Sequence, residues 1–227
     1  MFNYDNKVFE FINRVVDTMF TTLLWVVFSL PVITLGASTT AFYEVVHKVL
    51  RKNKGYVWHT FWSTFIANFK RSTIVWLIQL ALSLFFYTDM KIMKDALMQG
   101  EKGGWLYYFF LVTLIAMYAW FIFTSAYVAR IEDGVKKTLK NTALMMIMNL
   151  QWAGLMFITA FAAFAVIAFF PISALFVPTG VMFIYDVIIL KVFNKYINMY
   201  NEEKVEELDS DEVVMHYAKC AEESGLD

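Results

Sequence analysis

Residues 141–185, NTALMMIMNLQWAGLMFITAFAAFAVIAFFPISALFVPTGVMFIY, contain no charged side chain. A helix needs about 20 predominantly apolar residues to cross the hydrocarbon core of a bilayer, so this run is long enough for two crossings. Pro171 lies inside the run, and proline does not continue a helix because it lacks a backbone N–H. We therefore expect one membrane span over residues 143–169 and another over residues 172–193.

Three further windows of the chain contain no charged residue and are long enough for one span each: residues 18–43, 72–88 and 104–128. Hydrophobic residues make up 59% of the chain and charged residues only 17%, whereas about a quarter of an average soluble domain is charged. The sequence therefore predicts an all-α, polytopic transmembrane helix bundle of about five spans. The membrane domain covers residues 18–195 and follows an N-terminal segment, residues 1–17.

Lysine and arginine are concentrated in two predicted loops, residues 44–72 and 130–142. Short loops rich in these residues stay on the cytoplasmic side. We therefore expect a multi-pass protein of the cell membrane with its N-terminus outside and its C-terminus in the cytoplasm. Pro31 and Gly36 leave an alternative open, in which residues 18–43 form a re-entrant hairpin and the N-terminus is inside. The continuous apolar character of this window favours a single kinked span.

The net charge of −1 is the sum of two opposite parts of the chain. Residues 1–200 contain 17 basic and 10 acidic residues, a net charge of +7, and residues 201–227 contain 2 and 10, a net charge of −8. The predicted tail, residues 196–227, is therefore acidic and cytoplasmic. It could dock onto the basic loops of the same chain or onto a cytosolic partner.

Residues 56–70 carry aromatic side chains at helical spacing, and polar residues occupy the other side. This pattern predicts a cytoplasmic amphipathic helix between spans one and two. Two interpretations are open: the helix lies flat on the inner leaflet, or it docks into a partner protein. The residues of this candidate interface are Trp58, Phe61, Trp62, Phe65, Asn68, Phe69 and Lys70.

Three blocks of the sequence carry a resemblance to a known family. They are LW at 24–25 with SLPVITLGA at 29–37 and AFY at 41–43, then Phe61, Phe65, Asn68, Phe69 and Lys70, and finally PTG at 178–180. In these blocks the chain resembles the YesL-like family of bacterial integral membrane proteins, although Thr179 interrupts the Pro-Gly pair of that family's last span. The resemblance covers most of residues 15–195. It implies a multi-span protein without an established activity, in a family often linked with carbohydrate uptake, and it implies no catalytic residues.

Asp186 is the one acidic residue embedded in an apolar run. An ionisable group at membrane depth is costly and often functional, so Asp186 could coordinate an ion or a sugar. Alternatively, it lies near the interface and pairs with Lys191, Lys140 or a backbone group. Its depth separates these interpretations: a span that begins at Ile172 places Asp186 in the inner third of the membrane, and one that begins at Pro178 places it near the midplane.

The sequence contains no arrangement typical of an enzyme. One cysteine and three histidines are too few and too scattered for a nucleophilic or zinc site, and the nine glycines form no phosphate-binding loop. We therefore expect no catalytic residues, no cofactor, no metal site and no nucleic-acid partner. We expect instead a non-enzymatic accessory or scaffold protein in the lipid bilayer, which uses the aromatic helix 56–70 and the acidic tail to engage another membrane protein or a second copy of itself. The resemblance suggests that this partner is a permease of a carbohydrate-uptake system. The alternative is a small-solute transporter or channel with Asp186 in the pathway.

Overall fold

Pro31 divides the first predicted span into two helices. In a computed structural model, which describes residues 7–195, α1 comprises Lys7–Ser29 and α2 comprises Leu35–Val45, with a short 3-10 turn, Val32–Thr34, between them. Proline removes a backbone donor and disfavours helical geometry at the residue before it, so α1 ends here. Pro31 itself is extended, with φ −75° and ψ 115°.

Contacts between α1 and α2 establish that the chain reverses at this turn. The rings of Trp25 and Phe42 stack with centroids 5.2 Å apart, and the hydroxyl groups of Ser29 and Ser38 lie 2.6 Å apart. Positions later in α1 thus contact positions earlier in α2, which is the pattern of an antiparallel hairpin. The prediction of one kinked span over residues 18–43 is therefore wrong, because these residues form two antiparallel helices. The prediction of an N-terminus outside the cell assumed that residues 18–43 cross the membrane once, away from loop 44–72. A hairpin returns to the end where it began, so this assumption does not hold.

Helix α3 comprises Val57–Met98 and is continuous over 42 residues. At 1.5 Å per residue it is roughly 63 Å long, about twice the thickness of the hydrocarbon core. It contains the predicted span 72–88. It also contains residues 57–70, which are its first turns, so the predicted amphipathic helix is not a separate element of the fold.

The remaining helices follow in the predicted order. They are α4 (Leu106–Arg130), α5 (Val135–Met148), α6 (Leu150–Phe169) and α7 (Val177–Lys195), with a 3-10 turn, Pro171–Leu175, before α7. The predicted span 143–169 is interrupted at Asn149, where φ is −127° and ψ is 37°. Among residues 7–195, four helices are long and apolar enough to cross a membrane, namely α3, α4, α6 and α7.

The core of the helix bundle lies where α1, α2 and α3 meet. Helix α2 is buried on every side from Gly36 to Val45, and small residues there allow its neighbours to approach closely. The core cluster consists of Leu24, Ala37, Ala41, Val45, Val49, Val57, Phe61 and Phe65. Many large apolar side chains, such as Phe161 and Phe164 on α6, are exposed. Such a surface suits a lipid bilayer, and the chain is an all-α membrane protein.

Two parts of the chain are distinguished by their contacts. The chain up to Ile188 forms one compact unit, and a second begins at Ile189. Of the second unit, the structure describes only residues 189–195, which are the end of α7. The predicted acidic tail, residues 196–227, and its predicted docking lie outside the described residues.

Candidate functional site

A π-helical turn, Val46–Arg51, follows α2 directly. Single π-helical turns occur frequently at functional sites. Tyr43, His47 and Arg51 are spaced four residues apart across α2 and this turn, and all three side chains reach the same residue of α7, Asp186. The turn therefore helps to build the candidate site.

Asp186 is completely buried, and its carboxylate is bound by side chains from three elements. The hydroxyl of Tyr43 donates to Oδ1 at 2.8 Å, and Nη1 of Arg51 donates to Oδ2 at 2.7 Å. Arg130, the last residue of α4, donates from Nη2 to Oδ1 at 3.3 Å. A buried carboxylate needs opposite charge and hydrogen-bond donors, and this site supplies both.

His47 lies between Asp186 and Arg130 in this cluster. Its Nδ1 is 2.8 Å from Oδ1 of Asp186 and 2.7 Å from Nη2 of Arg130. One nitrogen cannot donate to the carboxylate and accept from the guanidinium at once, so the tautomer of His47 selects one of the two bonds. The guanidinium of Arg130 also lies over the ring of Tyr43, 5.2 Å from its centroid.

The partners of Asp186 differ from those expected from the sequence, which were Lys191, Lys140 or a backbone group. Arg51 and Arg130 are the last residues of their helical elements, so the carboxylate lies beside the helix ends that lead into the loops. The residue at which α7 starts does not by itself determine how deep Asp186 lies in the membrane. The regular spacing of Tyr43, His47 and Arg51 was the available signal for these partners, because such residues share one helix face.

Arg71 of α3 forms a second polar centre, at the end of α4. Its guanidinium donates to the backbone carbonyls of Val128, Ile131 and Asp133 and to Oδ1 of Asn68. These carbonyls lie at or beyond the C-terminus of α4, where a cation is favourable. Asn68, which we expected at a partner interface, is half-buried and accepts a hydrogen bond from Arg71 of the same helix.

Asp133 fixes the loop between α4 and α5. The hydroxyl of Tyr127 donates to its Oδ2 at 2.6 Å, and Nζ of Lys137 lies 3.1 Å from its Oδ1. These hydrogen bonds lower the pKa of Asp133 below its ordinary value. Specific hydrogen bonds therefore hold this loop in place.

The aromatic stripe at the start of α3 is divided between the interior and the surface. Phe61 and Phe65 are buried and pack against Phe28 of α1, with ring centroids 5.4 and 5.3 Å from it. Trp58 and Trp62 stack on each other at 5.8 Å and remain 51% and 39% exposed. Of the other predicted interface residues, Phe69 and Lys70 are exposed.

A cavity of about 530 Å³ lies among the helices. Its walls are mostly apolar, with side chains from α1, α2, α3, α4, α6 and α7, and none of the lining residues is charged. Asp186 does not line this cavity, although its neighbour Tyr185 does. The hydroxyl of Tyr185 lies 3.0 Å from that of Tyr118 and donates to the carbonyl of Met156 at 2.7 Å.

The helices, the apolar outer surface and the buried charge cluster define an integral membrane protein of the all-α class. Residues 18–90 match the family model described as "Protein of unknown function, DUF624". The resemblance to the YesL-like family is consistent with this match. No curated protein and no solved structure gives a significant match to the chain. Within residues 7–195, no group of three or more His, Cys, Asp or Glu side chains is arranged to hold a metal ion.

Proposed function

We propose that this protein is a non-enzymatic accessory or scaffold component of the bacterial cell membrane, associated with a carbohydrate-uptake permease. The observation that carries the proposal is the exposed, stacked pair of Trp58 and Trp62 on α3, the helix that also exposes Phe69. Tryptophan is enriched among the residues that dominate binding at protein interfaces. The link with carbohydrate uptake rests on the family resemblance.

The geometry of Asp186 gives little support to the transport alternative. A carboxylate that coordinates a solute needs free lone pairs facing a pathway, whereas Asp186 is bound by Tyr43, Arg51 and Arg130. The described cavity beside it has no charged lining residue, so an ion or a sugar entering it would lose its hydration without replacement. These features favour a structural role for Asp186.

Co-purification tests this proposal. The double variant Trp58→Ala with Trp62→Ala removes the exposed pair, while buried Phe61 and Phe65 are left intact to preserve the fold. The control is Trp105→Ala, because Trp105 is 64% exposed and lies at the other end of α3, just before α4. Membranes are solubilised in mild detergent, and recovered permease subunits are quantified by mass spectrometry.

We expect the wild type and Trp105→Ala to recover subunits of a carbohydrate permease, and the double variant to lose them. Equal recovery by a correctly inserted double variant would contradict the proposal, and so would recovery of the protein's own copies alone. Flux of a sugar or cation in proteoliposomes that Asp186→Asn abolishes would support the transport alternative instead.

A further inference from the structure

The cavity of about 530 Å³ has the size and composition of a ligand site. Protein interiors are close-packed and contain few voids larger than a water molecule. Sites for small ligands span about 300–1,000 Å³ and combine apolar walls with a few polar groups that orient the ligand. The cavity has such walls, formed for example by Phe42, Phe121, Ala163 and Met182.

One polar residue of the lining, Gln79, has a side-chain oxygen without a hydrogen-bond partner. Gln79 is only 2% exposed, and its Nε2 donates to Oγ1 of Thr124 at 2.9 Å. Its Oε1 is buried and accepts no hydrogen bond. An unpaired buried acceptor is unfavourable, so a donor brought by a ligand would satisfy it. Other polar groups of the lining are paired within the protein: Ser83 donates to a backbone carbonyl, and Thr39 accepts from Trp25.

The charge of the lining restricts the class of ligand. Since no lysine, arginine, aspartate or glutamate lines the cavity, a phosphate, carboxylate or ammonium group would find no counter-ion there. A sugar with many hydroxyl groups would leave most of them unpaired against apolar walls. A lipid-like molecule with an apolar alkyl chain and one uncharged hydrogen-bond donor needs no counter-ion and leaves no further polar group unpaired. Such molecules are available from the bilayer.

We propose that the cavity binds an uncharged amphiphile of the membrane, an alkyl chain that ends in a hydroxyl group. The alkyl chain lies against the apolar walls, and its hydroxyl donates to Oε1 of Gln79 once the side-chain amide turns toward the cavity. This site is independent of the exposed tryptophan pair, so its occupancy does not depend on the accessory role proposed above.

Photolabelling of the full-length protein in proteoliposomes tests the position of the site. The probe is a long-chain primary alcohol that carries a diazirine on its chain, and labelled peptides are mapped by mass spectrometry. We expect labels on residues that line the cavity. Ala163→Trp fills the cavity and should reduce labelling there about tenfold. Ala162→Trp is the matched control, because Ala162 is the neighbouring residue of α6, is exposed and does not line the cavity.

Competition between two unlabelled ligands tests the role of Gln79 and needs no bulky substitution. The alcohol and its methyl ether have the same chain, but only the alcohol donates a hydrogen bond. We expect the alcohol to compete about fivefold better in the wild type, which corresponds to one hydrogen bond of typical strength. Gln79→Leu should abolish this preference, and Thr124→Val should retain it, because it leaves the carbonyl oxygen of Gln79 in place.

Several results would overturn the inference. They are labelling confined to lipid-facing residues, equal labelling of Ala163→Trp and Ala162→Trp, and equal competition by alcohol and ether in the wild type. These results are independent of the co-purification experiment, because the substitutions of Trp58 and Trp62 used there leave the cavity unchanged.

Discussion

Neutralising Asp186 tests most directly whether the buried charge cluster stabilises the fold. Asp186→Asn preserves the size of the side chain but removes the charge that compensates Arg51 and Arg130. Breaking a buried ion pair by removing one partner costs about 3–5 kcal/mol, because the other charge stays buried. The side chains of Arg51 and Arg130 retain 32% and 20% of their exposure, so water partly screens them and the low end applies. We expect a loss of about 3 kcal/mol in the free energy of unfolding.

Titration with SDS in mixed micelles, followed by circular dichroism, measures this loss. Asp95→Asn is the control, because Asp95 is exposed on α3 and such substitutions change stability by less than about 0.5 kcal/mol. Combining Asp186→Asn with Arg51→Met should cost less than the sum of the two single changes, by about 1–3 kcal/mol. If Asp186→Asn behaves like Asp95→Asn, or if the two changes add, then the cluster does not stabilise the fold and the reasoning is refuted.

Three further predictions concern packing, the loop and topology. Gly36→Ala should destabilise the protein by about 1–3 kcal/mol in the same titration, because its Cβ would lie 2.5 Å from a side-chain carbon of α3. Gly154→Ala, whose Cβ meets nothing within 4 Å, should not destabilise it, and equal losses would contradict the packing argument. Arg71→Met removes the donors to the carbonyls beyond α4 and should speed limited proteolysis of the α4–α5 loop, with Arg71→Lys intermediate. Equal cleavage rates in all three proteins would exclude this role. The topology is tested in a Cys220→Ser background with two single-cysteine proteins, one with Asn53→Cys and one with a cysteine added at the N-terminus. Because the hairpin brings the chain back to the end where it began, we expect an impermeant maleimide to label both cysteines from the same side of the membrane. Labelling from opposite sides would require a single crossing.

The aromatic stripe at residues 58–69 shows which property of a helix face can be predicted from the sequence. Helical spacing correctly predicted that its aromatic residues share one helix face. It did not reveal that Phe28 of α1 packs against this face, where Phe61 and Phe65 become buried while Trp58 and Trp62 stay partly exposed. Periodicity reports only which residues face the same way, whereas the identity of the covering element depends on the arrangement of other helices.

The apolar segments inside α3, α4, α6 and α7 were visible in the sequence, because transfer of an uncharged, apolar segment into hydrocarbon depends on that segment itself. The bounds of these helices were not. Two features were decided by tertiary structure. Pro31 permits either a kink or a reversal, and the packing of Trp25 on Phe42 selects the reversal. Asp186 was visible in the sequence, but Arg51 lies 135 residues away, and only the packing of α2 beside α7 brings their charges together. A buried charge requires a partner, but local sequence does not specify which distant side chain the fold will supply.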